Sequence, residues 1–502
     1  MKKLILITYV SFIDLLVRAS LFSDTTLKLR YMPGFNKLRY FNGRARAYKQ
    51  FVRARKKVPG YGAFLSTANF DSTPVKGLKP DISCIPVTDK KNYINAFSID
   101  ERCIDGKIPA KGVIVDESSG SSGIPTNWVR GKRERMVNHR LIQFGITNLL
   151  GKEPIFVINA FALGAWATGM NITMSCLKFS KVKSTGPDLA KIINTLEHFG
   201  TEHNYLVMGY PPFLKRLVDT ADVDWQAYNV TLIFGGEPMT EGMRDYLLNK
   251  GIKKIYSSFG ASDLELNIAH ENDFTISLRR LLREDQELKQ RVLKYSGALP
   301  MVFQFNPADF WIECNESGEL IFTICRPGYA SPKIRYNIYD KGHVMQVKEL
   351  KEILKEFNLS DKITLSQTDL PILFHYGRGD MTVSFFGSNI SPNDIQEVIF
   401  MMPELARSTN SFYLETIEDS KADKQLIVSI ELAENITTAD FDEGTSLTTD
   451  FFIQLEKINQ DFKAAHAMAV DNKPVLKFYK YDSGNFANSD IRIKTKYIRT
   501  IS

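Results

Sequence analysis

Between Ile155 and Gly260 short apolar runs alternate with longer amphipathic stretches, and few architectures accept that rhythm. Ile155 to Ile158 and Tyr205 to Met208 have the length and composition of strands. Asp188 to Phe199 has helical spacing, and Pro212 to Leu217 is amphipathic. Such alternation builds α/β layers around a largely parallel sheet, because parallel neighbours need a crossover long enough to hold a helix. Two further strands end in glycine: Val230 to Phe234 runs into Gly235-Gly236-Glu237-Pro238, and Lys254 to Ser258 runs into Phe259-Gly260. Ligands of open α/β sheets bind in the crevice past such strand ends, so both turns are candidate site loops.

A third loop has the strongest chemical signature. The β-branched run Val113-Ile114-Val115 leads into Glu117-Ser118-Ser119-Gly120-Ser121-Ser122-Gly123-Ile124-Pro125-Thr126, ahead of a helical-looking segment from about Val129 to Leu150. Glycines let backbone N–H groups converge on an anion, and serine hydroxyls add donors for phosphate oxygens or a magnesium shell. The same composition suits a flexible linker, and only the position between strand and helix argues against one.

At 502 residues the chain exceeds what one hydrophobic core usually supports. Its character changes near Tyr376-Gly377-Arg378-Gly379-Asp380. Beyond lie a helix over Asp394 to Phe400, a strand over Gln425 to Leu432, a helix over Asp450 to Met468 and a strand over Pro474 to Tyr481. Together they make an α+β unit of about 120 residues. Leu278 to Lys294 is charged and is expected to be an exposed helix.

Five scattered cysteines, an odd number without a Cys-x-x-Cys pair, argue for a reducing, cytoplasmic setting. His198 and His203 are five apart, off one helical face, which disfavours a zinc site. The start, Met1-Lys2-Lys3 followed by Leu4 to Val10, has the flavour of a secretory signal. Asp14 and Arg18 argue instead for an amphipathic helix packed on the body, with peripheral membrane contact as the alternative. Residues 28–57 hold eleven Lys or Arg and no acid, and residues 1–60 are expected to form a helical, basic lead-in. Such a stretch can attract nucleic acid, anionic lipid or an acidic carrier protein. Tyr31, Phe35, Tyr40, Phe41, Tyr48 and Phe51 are interleaved with the cations, which favours a solvated face on a packed helix over a nucleic-acid site.

Taken in order, these segments resemble the adenylate-forming (AMP-binding) superfamily, in particular its phenylacetate–CoA ligase and coenzyme F390 synthetase-like branch. The 118–126 loop is similar to that family's phosphate loop, Gly235 to Pro238 to its adenine-side turn, and Phe259-Gly260-Ala261-Ser262-Asp263 to its aromatic-Gly-x-Ser/Thr-acid motif. Gly318 to Thr323 and Arg335-Tyr336 to Asp340 resemble the ribose-binding segment with its preceding strand. Gly377 to Asp380 and Gly387 to Pro392 resemble the interdomain hinge and the loop after it. The likeness runs from about residue 50 to the end and implies a large layered α/β domain over 1–376 and a small mobile α+β domain over 377–502, hinged at 377–380.

The resemblance also implies roles. Ser118, Ser119, Ser121, Ser122 and Thr126, with the Gly120 and Gly123 amides, would hold ATP phosphates. Gly235, Gly236, Glu237, Pro238, Phe259, Gly260 and Ser262 would surround the adenine, with Phe259 stacked on it. Asp263 would bind Mg2+, Asp340 the ribose, and Arg378 the ribose or phosphate, with Asp380 as the pivot. A lysine in Ile491 to Ile498 would support attack on the α-phosphate; the apolar Ile498 favours Lys494, and Lys496 is its rival. There are departures: Ile124 stands where lysine is common, Asp263 where glutamate is usual, Met381 where a second acid is common, and no Gly-Lys pair marks the tail. The implied activity is ATP-dependent conversion of a carboxylic acid to an acyl-adenylate, then to a thioester of coenzyme A or of a carrier protein's phosphopantetheine. Transfer of AMP to the product and a non-catalytic homologue are the alternatives. Phe161, Trp166, Met170 and Tyr210 suggest an apolar or aromatic acid pocket, or core packing. The sequence is silent on oligomeric state.

Overall fold

Eleven strands form one sheet whose two halves obey different rules. Its order is Phe310–Cys314, Glu319–Ile324, Tyr336–Met345, Ile372–Arg378, Met301–Gln304, Glu265–His270, Lys254–Ala261, Asn229–Phe234, Asn204–Gly209, Ile155–Asn159 and Lys181–Ser184. The computed structural model describes all residues except 1, 73, 77–78, 118–125, 152, 221, 296–298, 365, 379–381, 386–387, 419–423, 442–445, 469–472, 488–496 and 499–502.

The last five strands of that order are parallel. The inner ones, Ile155–Asn159, Asn204–Gly209 and Asn229–Phe234, are buried on both faces, as their continuous apolar runs require, whereas the edge strand Lys181–Ser184 is mostly exposed. Phe156, Ile158, Tyr205 and Val207 face one core with Ile192, Leu196, Leu214 and Leu217. The alternate residues Ile155, Val157, Leu206 and Met208 face a second core with Ile142, Ile146 and Ile172. From Glu265 onward the ladder is antiparallel. The expectation of a largely parallel sheet therefore fails for six of the strands. Lys254–Ala261 and Glu265–His270 are joined by only three residues, too few for a parallel crossover.

Other boundaries also differ from expectation. Phe259 and Gly260 lie inside a strand rather than in a turn. Asn127–Arg130 is a strand paired with Ile114–Glu117, so the helix begins at Lys132 rather than Val129, and residues 118–126 join two antiparallel strands. The charged 278–294 stretch is two helices, Asp273–Glu284 and Gln286–Val292, split where Asp285 caps the second. It is amphipathic rather than wholly exposed: Leu278, Arg279, Leu281, Leu282 and Leu288 are buried, whereas Glu284, Gln286, Glu287, Gln290 and Arg291 are exposed.

The lead-in forms α1 (Lys2–Ser20), α2 (Asp24–Leu29) and α3 (Asn36–Lys57). Its cations are not merely a solvated face. Arg30 and Arg46 reach Asp309, Arg39 reaches Asp369, and Arg46 and Lys49 share Asp14. Arg39 and Arg46 are buried. The pairs Arg39–Asp369 and Arg46–Asp309 tie α3 to the antiparallel half of the sheet, and the pairs to Asp14 tie α3 to α1.

Residues from Val383 on build a core of their own around Ile395, Val398, Leu414, Val428, Phe451 and Phe462. It holds a three-stranded sheet, Thr409–Glu418, Lys424–Leu432 and Val475–Tyr479. The single helix expected over 450–468 is two, Ser446–Ile458 and Gln460–Met468. Asn459 interrupts them and accepts from the Phe462 N–H at 3.0 Å.

One buried charge network joins the halves. Glu241 is paired with Arg244, Arg279 and Arg280, and Arg244 with Glu271. Burial alone would raise the Glu241 carboxyl, but its three arginines outweigh burial and hold it at about 2. A folded-state value below the ordinary one of 4.5 means that this contribution is complete above that pH and is lost as pH falls toward 2. Glu241→Gln should therefore cost about 3 to 5 kcal/mol at neutral pH by leaving buried arginine charge uncompensated. Calorimetric Tm values should show the gap to wild type narrowing from pH 4.5 downward; a constant gap would mean that the carboxylate is not the titrating group.

Candidate active site

The carboxyl ends of the central strands meet a cavity of about 920 Å³. Asn229–Phe234 delivers Gly235 to Pro238 to its wall. Gly236 adopts φ +83°, and a Cβ there would come 2.5 Å from the Tyr210 ring, so conformation and space both demand glycine. Glu237 is buried and accepts a hydrogen bond from the Tyr497 hydroxyl at 3.1 Å.

The next strand brings Phe259 to Ala261 and, just past its end, Ser262 and Asp263 to the same wall. A Cβ on Gly260 would lie 2.9 Å from the Glu265 carbonyl, which fixes how closely the two strands can pack. The Phe259 ring is enclosed by Phe303, Phe322 and His375, the last with centroids 4.4 Å apart. Asp263 accepts from the Tyr336 hydroxyl at 2.9 Å through Oδ2.

Arg130, at the end of the strand that follows the Ser/Gly loop, holds this segment in place. Its guanidinium donates to the carbonyls of Ser262 and Leu264 and to the buried Asp116 carboxylate. Burial raises the Asp116 carboxyl, and Arg130 opposes the rise. Close by, burial and the neighbouring Arg130 and Arg102 push the Lys333 ammonium down to about 7, and burial lifts Glu134 to about 7. The Lys333 Nζ lies 4.6 Å from the centre of the Trp128 ring.

Across the cavity, Asp340 and Arg378 are cross-strand partners. Asp340 Oδ2 lies 2.7 Å from His375 Nε2, and both residues line the cavity. One carboxylate oxygen is thus fixed, and the other is left for a hydroxyl donor. The apolar end carries Phe161, Trp166 and Tyr210, whereas Met170 is 42% exposed and lies outside the wall. Burial pushes the Tyr210 hydroxyl up to about 12.

The C-terminal unit closes one side. Ser391, Pro392, Phe412 and Tyr497 line the cavity. Gln396 accepts from the Thr240 N–H at 3.2 Å, and Lys215 donates to the Thr409 carbonyl at 3.0 Å.

The cavity therefore gathers Gly235, Gly236, Glu237, Pro238, Phe259, Gly260, Ser262, Asp263, Asp340 and Arg378. Thr126 stands just before the Asn127–Arg130 strand and is not part of the wall. Ser118, Ser119, Gly120, Ser121, Ser122, Gly123, Asp380, Lys494 and Lys496 lie outside the described residues. Arg130, Tyr336, His375 and Tyr497 were not anticipated in these roles. For His375 the available signal was a lone imidazole after the apolar run Ile372 to Phe374.

No family model and no curated protein matches the chain. Solved structures do. A 2-hydroxyisobutyryl-CoA ligase in the postadenylation state, with an acyl-AMP bound, superimposes with a TM-score of 0.68 at 14% identity, covering 94% of this chain and 91% of that one. The fold is that of the adenylate-forming ligases. The same ligase in its thioesterification state, with acyl-AMP and CoA, gives 0.55 at 16% identity, covering 94% and 92%. An open conformation gives 0.54 at 15%, covering 94% and 93%.

Gly236→Ala should lower stability by about 1 to 3 kcal/mol, through a left-handed backbone and overlap with Tyr210. Chemical unfolding checks it; an unchanged midpoint would put the Tyr210 ring elsewhere.

Proposed function

We propose that the protein activates a carboxylic acid with ATP, forming an acyl-adenylate and pyrophosphate, and then passes the acyl group to a thiol. One observation carries this reading: three segments far apart in sequence, Gly235 to Pro238, Phe259 to Asp263 and the cross-strand pair Asp340 with Arg378, converge on one cavity in an adenylate-forming ligase fold. Asp340, with Oδ2 held by His375, offers its second oxygen to the ribose hydroxyls. Gly235 to Pro238 and Phe259 to Ser262 frame the adenine; the ring-enclosed Phe259 supports a supporting wall better than a free stacking face.

The Ser/Gly loop, Ser118 to Thr126, holds the β- and γ-phosphates. Asp263 fits a magnesium ion: its Oδ2 is positioned by Tyr336, and Oδ1 is the hard oxygen such a cation takes. Bound there, the ion would offset phosphate charge. Arg378 contacts the ribose or phosphate. Residues 1–376 and 377–502 act as two domains pivoting at Asp380 between the half-reactions. The unequal superposition on the postadenylation and thioesterification states supports such a difference in arrangement.

The attacking carboxylate and the α-phosphate need a cation from the C-terminal side, and we assign it to Lys494. Tyr497, three residues on, lines the cavity, which supports a tail that reaches it. Coenzyme A is the favoured acceptor, because six of the eleven cations in 28–57 are engaged by the chain's own acids rather than left for a carrier protein. Phe161, Trp166 and Tyr210 support an apolar or aromatic acid. Assignment to the phenylacetate–CoA ligase and F390 synthetase branch rests on motif order alone.

Acid-dependent ATP–pyrophosphate exchange, run with a panel of acids and then with coenzyme A, tests this. Exchange with an apolar acid and thioester after thiol addition are expected. Stable AMP–product would indicate nucleotidyl transfer, and silence with every acid a non-catalytic homologue. Lys494→Ala should reduce exchange by orders of magnitude, since a lost charge contact in a transition state costs several kcal/mol. Normal exchange in that variant with loss in Lys496→Ala would move the role. Asp263→Ala should raise the magnesium concentration for half-maximal exchange; an unchanged requirement would place the ligand elsewhere.

A further inference from the structure

α1 is packed the wrong way round for a helix that faces only water. Its acid points inward: Asp14 is 5% exposed and accepts from Arg46 Nε and Lys49 Nζ, both at 2.9 Å. Its apolar residues point outward at three- and four-residue spacing, with Ile5, Phe12, Leu15 and Leu16 all exposed, and Phe22 beyond the helix is 91% exposed. α3 runs in the same direction beside it, since Tyr9 meets Phe41 and Asn42 while Asp14 meets Arg46 and Lys49. The start of α1 therefore lies near a second exposed apolar row, Phe35, Leu38 and Phe41. Half of the exposed large hydrophobic residues among the described residues, eleven of twenty-two, fall within residues 4–41. A concentration of that kind marks an interaction surface.

Charge identifies the partner. Residues 1–57 contain fourteen Lys or Arg and two Asp. Both acids are engaged, Asp14 as above and Asp24 by Arg140. Arg18, Lys28 and Lys37 are exposed and have no ion pair among the described residues. A second copy would bring like charge against like charge across a two-fold interface. An anionic bilayer answers both the apolar rows and the cations. No described helix is long and apolar enough to cross a membrane. We propose that α1 and the segment from Phe22 to Phe41 lie in the headgroup layer of an anionic membrane. Met32, exposed on this segment, also lines the cavity with Tyr31, so docking would set one end of the cavity at the lipid surface.

Sedimentation of the full chain with phosphatidylcholine vesicles, with and without phosphatidylglycerol, tests the proposal without ATP or an acid, so it stands apart from the ligase reading. Binding is expected to the anionic vesicles and to weaken with salt. Phe12→Asp with Leu16→Asp should cut the bound fraction about tenfold or more, and Arg18→Glu with Lys37→Glu should also weaken it, at an unchanged unfolding temperature. Three results would overturn it: no sedimentation with either vesicle, equal binding to neutral vesicles regardless of salt, or a dimer that the Phe12 and Leu16 changes dissociate without any vesicle binding.

Discussion

The change of strand direction at Lys254–Ala261 is the constraint on which the rest of the molecule depends. On one side this strand has a parallel partner, Asn229–Phe234, and on the other an antiparallel one, Glu265–His270. The parallel half sends strand ends to one edge, where Gly235 to Pro238 and Phe259 to Asp263 are set side by side. The antiparallel half returns Tyr336–Met345 and Ile372–Arg378 so that Asp340 and Arg378 face them across the same cavity. A sheet of one kind could not present both sets to one ligand.

Buried charge keeps that junction in register. Arg130 ties the strand after the Ser/Gly loop to the carbonyls on either side of Asp263, so motion in one segment is felt in the other. Glu241, Arg244, Glu271 and Arg279 fasten the helix after Pro238 to the end of the strand Glu265–His270 and to the helix Asp273–Glu284 that follows it. Buried pairs of this sort contribute little net stability compared with apolar packing, yet each is costly to break. They specify position more than they add stability.

Local patterns made part of this legible in the sequence. The parallel strands and their helices follow from apolar runs and periodicity, and the motif segments that reach the cavity were each recognisable within a few residues. What was illegible depends on distance along the chain. Arg30, Arg39 and Arg46 look like solvent cations until Asp309 and Asp369, over 250 residues away, arrive beside them. The strand Thr409–Glu418 escaped because Ser411 to Leu414 are buried in succession, which erases alternation. His375 gained meaning only once the strand pairing, which sets it opposite Gly342, brought its imidazole within reach of Asp340.

The central claim is that the cavity is an adenylate site, and crystallography of the protein with AMP addresses it most directly. The account predicts density for the nucleotide with its ribose hydroxyls on Asp340, its base between Gly235 to Pro238 and Phe259 to Ser262, and its phosphate toward the Ser118 to Thr126 loop. An empty cavity at saturating AMP, or a nucleotide held elsewhere on the protein, would contradict it.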